Sequence, residues 1–148
     1  EAVRDFHAVA HRIEFVRELD GVRYYDDSKG TNVDASIKAI ESFEKGIILI
    51  AGGYDKKVEI APLFEAFGSR VKALVLLGAT RYDFEREAKG HGFTNYEMVD
   101  TMEGAVKAAY ALAQAGDVVL LSPASASWDM YRSYEERGDH FKRLVRDL

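Results

Sequence analysis

The chain has 148 residues, 47% of them hydrophobic and 30% charged, with a net charge of −5. That length and balance suit a single globular core, and no apolar run approaches the roughly 18 residues needed to span a bilayer. The absence of cysteine removes disulfides and thiolate metal sites, the acidic balance argues against a nucleic-acid partner, and no membrane partner is expected.

Residues 1–10 read as a short helical or linker segment without an apolar h-region, so no signal peptide is expected and a reducing cytoplasm is the expected location. Ile13 to Arg17 alternates as a half-buried strand does, and the Asp20-Gly21 turn joins it to a second strand, Val22 to Tyr25. Asn32 to Phe43 places Val33, Ile37, Ile40 and Phe43 at helical spacing. The continuous apolar run Gly46 to Ala51 predicts a strand buried on both faces. Ile60 to Phe67 reads as a helix with Pro62 in its first turn. Val71 to Leu77 is a second buried strand, Ala79 to Lys89 a helix, and Phe93 to Val99 a short strand. Met102 to Ala115 is an Ala-rich helix closed by Gly116, and Asp117 to Ser122 is the third buried strand. Trp128 to Tyr134 is expected to open a helix, and Glu135 to Leu148 is one. The alternation predicts a three-layer, Rossmann-like α/β domain. Its sheet is mainly parallel, with an antiparallel N-terminal strand and helices on both faces.

Ligands of open α/β sheets bind outside the C-terminal strand ends. Three such ends carry unusual residues: Asp26 to Asn32, Gly52 to Lys57, and Ser122 to Ser127. All lead towards helix N-termini, which favour anions. Plain structural readings stand beside these. Thr31 or Asn32 caps a helix, Gly52-Gly53 forms a tight turn, and Ser125 and Ser127 act as caps. Neither a GxGxxG fingerprint nor a GxxxxGK[ST] phosphate loop is present. His11-Arg12 reads as a solvated pair, and His7, His91 and His140 lack metal-ligand spacing. Asp26 and Asp27, adjacent along a strand, are expected to point to opposite faces, so no metal site within this domain is expected. Trp128, Tyr131 and Tyr134 lie at helical spacings, a core stripe on the plain reading.

Taken together, these segments resemble the C-terminal domain of the Mur ligases. His11-Arg12-Ile13-Glu14 matches the start of that domain. Asp27-Ser28-Lys29-Gly30-Thr31-Asn32 is similar to a DSKATN signature, with Gly30 for Ala. Gly52-Gly53 with Lys56 matches a GGxxK loop. Leu121 to Ser127, then Asp129, Tyr134, Glu135, Arg137 and Gly138, resembles an LLSPACASxDxFxxFExRG signature. Ser125 replaces Cys there, and Tyr131 and Tyr134 replace the two Phe. The Gly30 and Ser125 departures, conservative in volume, are expected to matter little. The resemblance covers residues 11–148 and is nearest to the D-glutamate-adding branch, with residues 1–10 as the linker from a central domain outside the chain.

That resemblance implies an ATP- and Mg²⁺-dependent ligase of peptidoglycan synthesis. Such a ligase joins D-glutamate to UDP-N-acetylmuramoyl-L-alanine through an acyl phosphate. It further implies that the UDP-sugar site, the phosphate loop and the Mg²⁺ ligands lie in other domains, so the chain alone is expected to be inactive. Carried over, Arg12 approaches the ATP phosphates, Asp27 accepts from the ribose and Lys29 faces the transferring phosphoryl group. Thr31, Lys56, Ser127 and Tyr134 hold D-glutamate, with the Trp128 backbone beside it. Two other readings remain: a stand-alone flavodoxin-like binding module, for which Asp26-Asp27 mimics an acidic pocket, and the corresponding domain of a folate-type glutamate ligase.

Overall fold

A computed structural model describes residues 11–54, 59–127 and 130–148. Six strands form one sheet in the order β1-β2-β6-β3-β4-β5. In chain order they are β1 (Glu14–Leu19), β2 (Val22–Asp26), β3 (Ile47–Ala51), β4 (Val71–Leu76), β5 (Tyr96–Met98) and β6 (Val118–Leu121). The β1–β2 pair is antiparallel across the Asp20-Gly21 turn, where both residues take positive φ. The other pairings are parallel. This is the mainly parallel sheet with an antiparallel N-terminal strand that the sequence predicts.

Five helices are described: α1 (Val33–Glu41), α2 (Ala61–Phe67), α3 (Arg81–Gly90), α4 (Met102–Leu112) and α5 (Tyr134–Arg146). Strands β3, β4 and β6 send alternate side chains to opposite faces. Ile47, Leu49, Leu74, Leu76 and Leu120 pack with Ile40, Leu63, Phe64, Phe67 and Phe84 from α1, α2 and α3. Ile48, Ile50, Val75, Val119 and Leu121 pack with Met102, Val106, Ala109, Phe141 and Val145 from α4 and α5. Two apolar layers therefore sandwich a sheet whose central strand β3 is wholly buried. This explains why its sequence is a continuous apolar run rather than an alternating one.

Several boundaries differ from the sequence reading, each for a local reason. Helix α3 starts at Arg81 rather than Ala79, because Gly78 takes a positive φ and the Thr80 side chain serves Gly53 instead of the helix end. The strand expected from Phe93 shrinks to Tyr96–Met98, since Phe93 closes α3 through its N–H to Ala88 and packs on Phe67. Helix α4 stops at Leu112, where Gln114 and Asp117 form a turn of their own. Helix α5 begins only at Tyr134, capped by the Ser133 hydroxyl on the Glu136 N–H. The expected helix opening at Trp128 lies partly outside the described residues, as does the expected linker at residues 1–10.

The strand order carries the functional consequence. The chain leaves β2, crosses to β3, runs outward through β4 and β5, and returns to insert β6 between β2 and β3. The C-terminal ends of β2, β6 and β3 are thus three neighbours, and the order reverses there. That reversal point is where open α/β sheets bind ligands.

Candidate functional site

The loop after β2 is held by buried polar groups. Asp26 is fully buried; its Oδ2 lies 2.7 Å from His11 Nδ1, and its Oδ1 accepts from the Ser28 N–H at 2.9 Å. The Lys29 N–H donates to the His11 carbonyl at 2.9 Å. Asp27 Oδ1 accepts from the Ile13 N–H at 3.1 Å, and Oδ2 from the Ser122 hydroxyl at 2.6 Å. His11 is therefore a buried pin and not the solvated residue that the sequence suggested, because its ring satisfies a carboxylate that burial would otherwise strand. The two aspartates do diverge as expected, Asp26 towards His11 and Asp27 towards Ser122.

Burial pushes the Asp27 carboxyl up to about 6. The Ser122 and Ile13 hydrogen bonds pull the other way, and the neighbouring Asp26 charge adds to the rise. Asn32, not Thr31, caps α1, its side chain accepting from the Ala35 N–H at 2.9 Å. Thr31 is left to face a cleft.

Two clefts flank this loop. The first, about 440 Å³, is lined by Arg12, Asp27, Lys29, Gly30 and the first turns of α1 through Lys38. The second, about 340 Å³, is lined by Thr31, Ala126, Ser127, Arg132, Ser133, Tyr134 and Glu135. The N-terminus of α5 opens onto it, and the first turn of a helix presents N–H groups and a positive dipole end. Lys29 stands between the clefts: its Nζ lies 3.2 Å from the Tyr134 hydroxyl and 5.3 Å from that ring's centre. The structure thus gathers Arg12, Asp27 and Lys29 around one cleft and Thr31, Ser127 and Tyr134 around the other. Lys56 and Trp128 lie outside the described residues.

Two roles in the site, those of Arg137 and Gly138, were not read from the sequence. Arg137, buried on the apolar face of α5, donates to the Ser125 carbonyl at 3.1 Å and the Ser28 carbonyl at 2.8 Å. It ties the loop after β2 to the loop after β6. A charged residue on the buried stripe with Phe141 and Val145 is the signal that would have found it. Gly138 packs where a Cβ would collide with His11 Nδ1 and Ser28 Oγ and lie 2.6 Å from Asp26 Oδ2. Finally, Gly52-Gly53 is tightly constrained: Gly52 has φ +110 and sits against the Leu77 carbonyl, and Gly53 sits against the Ala126 carbonyl. The plain turn reading accounts for the pair. Of the departures from the signature, Ser125 is accommodated, 3.2 Å from Thr80 Oγ1. Gly30 matters more than expected, since a Cβ there would lie 2.8 Å from both Asp27 Oδ2 and Ser122 Oγ.

His11, Glu14 and Asp26 cluster closely enough to suggest a metal site. Their lone pairs are already engaged: Lys142 Nζ lies 3.1 Å from Glu14, the His11 N–H donates to the same carboxylate, and Asp26 is taken as described. A bound cation would have to displace Lys142, so the trio is a structural knot. No helix among the described residues is long and apolar enough to cross a membrane.

Fold and site together define an α/β domain with an anion-suited crevice at the reversal point of its sheet. The family model for the Mur ligase glutamate ligase domain matches residues 11–125, and the chain belongs to that family. It is 51% identical over 148 residues to the UDP-N-acetylmuramoylalanine–D-glutamate ligase of Caldicellulosiruptor saccharolyticus, covering 100% of this chain and 33% of that protein. The enzyme of the same name from Clostridioides difficile is 53% identical over 152 positions, covering 100% of this chain and 34% of the relative. The chain thus spans about a third of the length of the relatives it matches. Among solved structures, the UDP-N-acetylmuramate–alanine ligase of Thermotoga maritima superposes with a TM-score of 0.67 at 14% identity, over 99% of this chain and 32% of that one. A bifunctional folylpolyglutamate/dihydrofolate synthase from Yersinia pestis gives 0.63 at 16%, over 95% of this chain and 32% of that one. Those two likenesses are of fold.

Proposed function

We propose that this chain is the C-terminal, amino-acid-binding domain of an ATP-dependent ligase that adds D-glutamate to UDP-N-acetylmuramoyl-L-alanine. The observation that carries the reading is the pair of clefts divided by Lys29, one suited to a nucleotide and one to an amino acid. In the first cleft Arg12 and Lys29 offset phosphate charge and Asp27 accepts from the ribose hydroxyls. In the second, Thr31, Ser127 and Tyr134 hold D-glutamate together with Lys56 and the Trp128 backbone. The clefts suit those groups in size and charge. The acceptor carboxylate is phosphorylated by ATP, the D-glutamate amine attacks the acyl phosphate, and the tetrahedral intermediate expels phosphate. Mg²⁺ and the UDP-sugar are held by parts of the enzyme beyond this chain, residues 1–10 lead in from a central domain, and the enzyme works in the cytoplasm. The chain by itself does not turn over.

About 50% identity to D-glutamate-adding ligases favours this reading over a folate-type ligase, whose likeness is confined to the fold. The deciding experiment uses the intact protein that carries this chain. Phosphate release is followed with ATP, Mg²⁺ and UDP-N-acetylmuramoyl-L-alanine, adding D-glutamate or L-glutamate. A parallel assay offers dihydropteroate with L-glutamate. Turnover with D-glutamate alone is expected. Turnover with the pteroate acceptor would overturn the assignment.

A further inference from the structure

The bond between Lys29 and Tyr134 goes beyond placing each beside a ligand. The Lys29 ammonium donates to the Tyr134 oxygen at 3.2 Å, and only a phenol offers that oxygen. The residue is half-buried at the first position of α5 and lines the amino-acid cleft, whereas Lys29 lines the nucleotide cleft. Its ring stands edge-on to buried His11 at 6.1 Å, which limits its freedom to swing away. An oxygen that accepts from an ammonium keeps its own proton to donate, and that proton is made a stronger donor by the charge behind it.

We infer that the Tyr134 hydroxyl is a positioning group that links the two clefts: it fixes the Lys29 ammonium on their shared wall and donates its own proton to a carboxylate of the incoming amino acid. Filling the amino-acid cleft then also completes the placement of Lys29 for the phosphoryl side. The inference rests on the ligase reading above.

The test is Tyr134→Phe in the intact enzyme, with Tyr131→Phe as a comparison. Tyr131 bonds His140 at 2.6 Å and has no part in either cleft. Removing the Tyr134 hydroxyl keeps the ring, so the melting temperature should be unchanged. The KM for D-glutamate should rise about tenfold, the loss of one charge-assisted hydrogen bond. The kcat should fall at least about threefold as Lys29 loses its anchor, and the KM for ATP should stay within about twofold. Tyr131→Phe should leave all three constants within about twofold. A Tyr134→Phe enzyme whose D-glutamate KM or kcat stayed within that margin would overturn the inference, as would equal effects of the two variants. If the parent enzyme does not use D-glutamate, the ligase reading fails first; if it does and Tyr134→Phe is silent, the linkage alone fails.

Discussion

Asp27 Oδ2 accepts a 2.6 Å hydrogen bond from Ser122 Oγ, joining the end of β2 to the end of the inserted strand β6. The bond fixes a carboxylate at the base of the cleft that Arg12 and Lys29 line, in a site dry enough to resist ionisation.

That resistance has a measurable sign. Asp27 titrates at about 6 in the fold against an ordinary value of 3.8. The folded state therefore holds the proton more tightly than the unfolded chain, and stability from this group is present below about pH 4 and lost as the pH rises through 6. The loss above pH 7 is on the order of 2–3 kcal/mol. Asp27→Asn should accordingly raise the denaturation midpoint at pH 8 and lose that advantage at pH 4. A pH-independent difference between the two proteins would refute burial as the cause.

Nucleotide binding should follow the same titration in the opposite sense. On the proposed role the ionised Asp27 is the better acceptor for the ribose, so ATP affinity of the intact enzyme should weaken as the pH falls below about 6. The asparagine variant should bind ATP with a flatter pH profile over that range. Calorimetry at pH 5.5 and 7.5 distinguishes the two profiles.

Arg137 holds the two loops through the Ser28 and Ser125 carbonyls. Arg137→Met should cost roughly 2–4 kcal/mol, because charge-assisted bonds are lost and buried carbonyls are left without donors. Urea denaturation of the chain measures this directly. A cost under about 1 kcal/mol would mean that the loops are held by other contacts.

Gly138→Ala and Gly90→Ala form a matched pair, since both glycines are helical. A methyl group at Gly138 meets His11, Ser28 and Asp26, whereas one at Gly90 meets nothing within 4 Å. The first should destabilise by about 1–3 kcal/mol through overpacking. The second should be neutral or stabilise by up to about 1 kcal/mol through helix propensity. Equal effects on thermal unfolding would contradict the packing account.

Lys56→Ala in the intact enzyme should raise the KM for D-glutamate by about 10- to 150-fold, the range for losing a bond between an ammonium and a carboxylate. Lys57→Ala should do much less. Steady-state kinetics at saturating ATP compare them, and silence of both would place the carboxylate elsewhere.

The alternation of apolar strands and amphipathic helices determined the layers and the parallel sheet, because burial on two faces demands continuous runs such as Ile47–Ala51, and the Asp20-Gly21 turn determined the antiparallel first pair. Two of the three loop motifs, those after β2 and β6, also line the two clefts. Their common location needed the tertiary structure, since only the insertion of β6 between β2 and β3 makes Asp27 and Ser122 neighbours. Buried polar groups escaped the sequence for the same reason. His11 and Arg137 look like ordinary surface residues until the partners that satisfy them, Asp26 and the Ser28 carbonyl, arrive from 15 and 109 positions away. Local sequence encodes propensity and hydrophobic period, which act over one turn or one strand. Desolvation and its hydrogen-bonded compensation depend on which segments meet, and packing decides that.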